Sequence, residues 1–222
     1  MAKKNRESQI EEVEALTSTE NFIDKYKNAI MIGGGAIVVV VLGIIGYQKL
    51  VAEPNEIASQ EAYWPAFYEF EKDSMQLAAN GNEMFDGMLD VADEYSGTSG
   101  GNIANYTLAI GAMKAGNFEE AIEYLDECDF DDVMMGSLVL GLKGDCYVEL
   151  DQNEDAVNYF EKAAAREQND YTSPMYLKKA GLTYEALNQP EDALNAYLKI
   201  KNDWPESEEA TDIDKYIARV EN

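Results

Sequence analysis

From Asn28 to Gln48 the chain carries no charged residue, and Lys27 and Lys49 close the stretch on either side. Wound as a helix at about 1.5 Å per residue, it measures roughly 31 Å, the thickness of a bilayer's hydrocarbon core. Direction follows the flanking bases rather than net charge. Lys3, Lys4, Arg6, Lys25 and Lys27 precede the span, whereas the next base after Lys49 is Lys72. The sequence therefore predicts a short cytoplasmic tail over 1–24, a membrane helix over 25–49 and an exported domain over 50–222. A cleaved signal peptide would have a shorter apolar region after a brief basic leader and before a small-x-small site. Here the leader is long and Leu50-Val51-Ala52 is a poor site, so a retained anchor is expected. No cysteine stands near the span to carry a lipid instead.

The exported part is acidic: from Lys49 onward, 12 bases face 37 acids. Nucleic acid and anionic lipid both need basic surface, so neither is expected as a partner of this domain. Chemistry is scarce as well. The chain has no histidine, which removes every histidine-based triad, general base and metal ligand. Its two cysteines, Cys128 and Cys146, fall in helical patterns where a small buried thiol suffices; an exported compartment would permit their pairing, but spacing alone does not establish it. Asp151-Gln152-Asn153-Glu154-Asp155 imitates the start of a calcium loop, yet Ala156 replaces the glycine and Lys162 the closing glutamate, so a turn is expected. The acidic run from Asp126 to Asp132 reads as a solvated helix end. The sequon at Asn105 lies inside a helical pattern, and no glycan is inferred from it. No catalytic, cofactor or metal site is expected, and the chain does not read as an enzyme.

What the exported part does contain is a repeat. Ala121, Ala156 and Ala193 are each followed four residues later by a large apolar group, Leu125, Phe160 or Tyr197, and preceded twelve residues earlier by a small one, Ala109, Gly144 or Gly181. Antiparallel helices approach closely where small side chains meet, and large ones fill the remaining gap. The spacing resembles the tetratricopeptide repeat. Gly144, Tyr147, Ala156 and Phe160 sit at that family's signature positions, as do Gly181, Tyr184, Ala193, Tyr197 and the terminating Pro205. The first unit is looser, with Ala112 for the tyrosine and Val133 for the proline. Units are expected near 102–135, 137–170 and 174–207, with a capping helix over 211–220. Gly87 and Val91 suggest a degenerate half-unit upstream, after the helix that contains Tyr63 to Asp73. Strand-like alternation is nearly absent, so the fold is expected to be all-α: one transmembrane helix, then a tetratricopeptide α-solenoid.

The resemblance implies a protein-binding groove lined by the first helix of each pair. Its residues would be Tyr106, Ile110, Met113, Leu138, Val148, Met175, Lys178 and Leu182. Lys114 and Lys178 are the few bases there, so the Lys and Asn clamp that some members use for a peptide carboxylate is not reproduced. A largely apolar groove containing Met suits an amphipathic helix or an unfolded segment. In the membrane helix, Ala29, Gly33, Ala36, Val40, Gly43 and Tyr47 alternate at steps of four and three, a seam on which another helix can pack. Tyr63, Trp64, Phe67, Tyr68 and Phe70, around Pro65, are expected to pack on the first solenoid helices. Ile10, Val13 and Leu16 form a weak apolar stripe in the tail, and Phe22 and Tyr26 extend the membrane helix to the interface.

The whole layout resembles the YfgM-type ancillary subunits of the bacterial Sec translocon. That resemblance implies an inner-membrane protein with a periplasmic domain. It also implies partners in the channel and in a periplasmic chaperone of the prolyl-isomerase class, and a role in handing over exported polypeptides. The alternatives are a scaffold of another cell-envelope assembly and a membrane-anchored signalling adaptor.

Overall fold

The computed structural model describes residues 25–28 and 31–221, which divide into two compact units with the boundary between Pro54 and Asn55. In the first unit, residues 31–47 form α1 and Gln48–Ala52 a single wide π turn. The helical run Lys25–Glu71 is long and apolar enough to cross a membrane. Residues 31–45 are all exposed, and apart from the adjoining residues and the helix's own backbone nothing lies within 4 Å of where a Cβ on Gly33 or Gly43 would stand. Ala36 of the expected seam is exposed too; Ala29 lies outside the described residues, as do Ile10, Val13, Leu16 and Phe22.

The second unit is helical, with one two-residue hairpin. Its elements are α2 (Glu53–Glu71, from Asn55 onward), α3 (Met75–Asn80), β1 (Gly81–Asn82), β2 (Phe85–Asp86), α4 (Met88–Glu94), α5 (Ser99–Ala115) and α6 (Phe118–Asp126). There follow α7 (Val133–Glu149), α8 (Asn153–Ala165), α9 (Thr172–Ala186), α10 (Pro190–Asp203), a 3-10 turn (Glu209–Asp212) and α11 (Ile213–Val220). The two strands pair antiparallel, Gly81 opposite Asp86 and Asn82 opposite Phe85.

Three helix pairs, α5–α6, α7–α8 and α9–α10, share one turn. After each first helix a single residue is left-handed: Gly116 (φ 81), Asp151 (φ 56) and Asn188 (φ 57). The next amide then reaches back five residues, Asn117 to Ala112, Gln152 to Tyr147 and Gln189 to Tyr184, at 2.9, 2.8 and 2.9 Å. This satisfies carbonyls that a helix end otherwise leaves orphaned. Asp151 is thus the pivot of a turn, as its failed calcium pattern implied.

The small and large positions of each pair are mated. A Cβ on Gly144 would stand 2.5 Å from Cε1 of Phe160, and one on Gly181 2.3 Å from Cε1 of Tyr197. Each glycine therefore makes room for the ring of its own pair's second helix. In α5–α6 the mates are Ala109 and Leu125, both fully buried. The first helices start a few residues upstream of the expected units, because Thr98 caps α5 through the Gly101 amide and Asp132 caps α7 through the amides of Met134 and Met135. The acidic run is accordingly divided: Asp126 ends α6, whereas Asp132 begins the next helix.

Upstream, the half-unit is more than half. α2 closes with the same turn, Asp73 left-handed (φ 63) and the Ser74 amide on the Glu69 carbonyl at 2.9 Å. It lies beside α5 in parallel: Glu56 near its start accepts from the Ser99 amide at 3.1 Å, and Asp73 at its end pairs with Lys114 at 2.9 Å. The second helix of this pair is broken into α3 and α4 by the hairpin. Gly87 is consumed there, since a Cβ would stand 2.3 Å from the Ala79 carbonyl oxygen. Of the aromatic patch, Tyr63 and Phe67 pack with Ala66, Met88, Val91, Ala104 and Leu108 as expected, whereas Trp64 and Tyr68 remain exposed.

Candidate protein-binding site

The sequence-derived groove residues all stand on first helices: Tyr106, Ile110 and Met113 on α5, Leu138 and Val148 on α7, and Met175, Lys178 and Leu182 on α9. Their accessibility differs. Val148 and Leu182 are exposed, at 38% and 42%; Ile110 and Leu138 are half-buried. Tyr106, Met113 and Met175 lean on the core clusters beneath them, so part of their surface is structural. Tyr106 packs edge-on against Phe130 at 6.4 Å, and burial raises its phenol above the ordinary range.

The few bases of this row are already engaged. Lys114 pairs with Asp73 and lies 5.5 Å from the Phe70 ring centre. Lys178 pairs with Asp212 at 2.9 Å and lies 4.9 Å from the Tyr216 ring centre. Neither ammonium is set to receive a peptide carboxylate. What sequence reading missed is that these pairs form a ladder at the repeat period. Asp145 with Lys179, Lys178 with Asp212, and Glu185 with Arg219 are each 34 residues apart, at 2.7, 2.9 and 2.5 Å. The signal was present as opposite charges at equivalent positions of successive units. Through this ladder α11 takes the place of a further first helix, burying Ile213 and Ile217 against the last pair.

Glu185 accepts a second bond, from the Tyr197 hydroxyl at 2.5 Å. Partial burial would raise its carboxyl, but the bonds from Arg219 and Tyr197 outweigh that and lower it. Asp212 is lowered by its hydrogen bond from Lys215 and next by that from Lys178.

Cys128 and Cys146 are free thiols. Cys128 lies just past the end of α6 rather than within a helix, and Cys146 is buried in α7. Burial pushes their pKa values up to about 12 and about 11, far from the range of a reactive thiolate. Among the described residues, no three His, Cys, Asp or Glu side chains gather as a metal site.

Residues 139–170 and 178–207 each match a tetratricopeptide repeat model, and these spans fall on α7–α8 and α9–α10. No curated protein matches the chain. The chain carries tetratricopeptide repeats, an architecture typical of non-enzymatic scaffolds and of adaptors that bind other proteins.

Proposed function

We propose that this chain is a non-enzymatic, membrane-anchored tetratricopeptide adaptor, ancillary to the bacterial Sec translocon, that helps hand exported proteins to periplasmic chaperones. Residues 1–24 form its cytoplasmic tail, 25–49 cross the inner membrane, and 50–222 face the periplasm. The observation that carries the reading is the row of first helices. It exposes Val148 and Leu182 and leaves Ile110 and Leu138 half open, while its bases are tied up in pairs within the chain. Such a surface favours apolar segments of another polypeptide over free carboxylates. The uncovered glycines of α1 supply a lateral surface for a helix of the channel.

Photo-crosslinkers placed at Ile110 and Leu182, and separately at Gly33 and Gly43, test both halves in intact membranes. The expected neighbours are exported polypeptides or a chaperone from the first pair and a channel subunit from the second. Gly33→Leu with Gly43→Leu should lose the channel and leave the soluble unit folded. Ile110→Asp with Leu182→Asp should weaken capture and leave the anchor in place. Neighbours from another envelope assembly would replace the translocon reading with that of a scaffold elsewhere. Loss of function on deleting residues 1–24 alone would favour a signalling adaptor.

A further inference from the structure

The two ends of the helical stack are finished differently. At the carboxyl end α11 buries Ile213 and Ile217 and turns Asp214, Lys215 and Arg219 to solvent. That is the polar outer face a stack of repeats needs at its terminus. At the amino end stands α2, whose inner side buries Ser59 and Ala66 and packs Tyr63 and Phe67 on the core. Its outer side is apolar as well. Ile57, Trp64 and Tyr68, spaced by seven and four, are exposed at 54%, 57% and 58%. A helix that is apolar on two sides is ordinarily covered on both.

The charge on α2 says what kind of cover fits. Glu61 stands among the three apolar residues, exposed, with no side-chain partner among the described residues. Glu56 is bonded to Ser99, and Glu69 to Lys72. Lys72, the base beside this helix, is spent on Glu69 and on the Tyr68 ring, 3.8 Å below it. A second copy would set Glu61 against an equally acidic face, and an anionic membrane would be repelled by the same carboxylates.

We propose that the outer face of α2 docks an amphipathic helix from a partner protein. That helix carries an Arg or Lys within its apolar stripe, the base meeting Glu61 and the stripe covering Ile57, Trp64 and Tyr68. This surface lies on the first helix at the amino end of the stack, on residues other than the groove residues of α5, α7 and α9, and does not depend on the translocon reading.

The chain provides its own reporter. Of its two tryptophans, Trp204 is buried at 8% exposure, so changes in emission and acrylamide quenching report Trp64. The full chain in phosphatidylcholine nanodiscs is titrated with two tryptophan-free amphipathic peptides, identical except that one Arg or one Glu interrupts the leucine stripe; empty nanodiscs are subtracted. The Arg peptide should shift Trp64 emission to the blue and shield it saturably, on the order of tenfold more tightly than the Glu peptide. Glu61→Lys should reverse that preference, a result that a loss of folding cannot imitate. Equal binding of both peptides, or no shielding by either, overturns the proposal. So does a Trp64 already shielded without peptide: shielding that rises with protein concentration identifies a second copy as the cover, and shielding that depends on the lipid identifies the membrane.

Discussion

The pairs α7–α8 and α9–α10 are close copies, whereas α2 with α3 and α4 keeps only part of the plan. All share the left-handed turn, at Asp73, Gly116, Asp151 and Asn188. The turn is thus tolerant of residue type, since Asp and Asn adopt the left-handed region at modest cost and glycine at none. The mating of a glycine with an aromatic ring is not tolerant. It occurs in the two regular pairs, is reduced to Ala109 and Leu125 in α5–α6, and gives way in the upstream pair to Ala66, seven residues before Asp73 and buried with Met88 and Val91. An open cleft of about 280 Å³ lies among Met75, Met88, Leu108, Gly111 and Tyr124, beside the broken second helix, and another of about 370 Å³ lies among Glu161, Ala164, Leu177, Tyr184 and Ala196 of the regular pairs, so the two regions differ at the mated positions rather than in open surface. Turn and fill are separable parts of the repeat.

The sharpest way to break this contrast is Gly144→Leu or Gly181→Leu. Phe160 and Tyr197 are essentially fully buried, so neither ring can swing away into solvent. Overpacking should cost about 3 kcal/mol in each, read as a lowered midpoint in chemical denaturation. An unchanged midpoint in both variants would remove the assignment of these residues as mates.

Next comes the ladder, which joins the regular pairs to α11. Arg219→Ala should cost roughly 0.5 to 1 kcal/mol at neutral pH, the range of a partly exposed pair. The pH dependence separates this from lost packing. In the parent, the Glu185 carboxyl is lowered from 4.5, so its contribution is present above that value and fades as pH falls through the depressed folded value. Without the guanidinium, burial opposes the charged form and the Tyr197 hydroxyl alone favours it. The variant should therefore lose less stability on acidification than the parent, and the two curves should converge once the pH lies below the parent's depressed folded value. Parallel curves would show that Arg219 acts through its aliphatic stem.

Much of the regular region was legible in the sequence because its information is periodic. The anchors Ala121, Ala156 and Ala193 recur 35 and 37 residues apart with their mates at constant offsets, and three positions per unit suffice to place two helices. The ladder's interval of 34 is close to these, and opposite charges at that spacing carried the same kind of signal. The irregular region resisted for a physical reason. Gly87 and Val91 keep a repeat's spacing from Ala121 and Leu125, but the hairpin between α3 and α4 alters the offset from α2, so Asp73 falls out of register with Gly116. Nor did composition indicate that Tyr63 and Phe67 would turn inward while Trp64 and Tyr68 stayed out. Spacing divides such residues between faces, and only the neighbours decide which face is covered.

The smallest expected effect is the most diagnostic of the difference between regions, because its sign is opposite. Gly111 stands within α5, a first helix like those that carry Gly144 and Gly181, but it borders the open cleft beside α3. The nearest atom to a Cβ there is the Met75 sulfur at 3.9 Å, an ordinary contact. Nothing in the backbone calls for glycine either, since Gly111 is not among the positive-φ residues. Gly111→Ala should then reduce the conformational freedom of the unfolded chain and improve helix propensity without overpacking, raising stability by about 0.5 to 1 kcal/mol. Gly144→Ala, the matched change in the regular region, places its methyl against the Phe160 ring and should lower stability. Measured side by side in denaturant, the two alanines should move the midpoint in opposite directions. Equal shifts of one sign would mean that the room beside Gly111 and the close contact at Gly144 have no opposing energetic consequence, and that the two regions differ in outline alone.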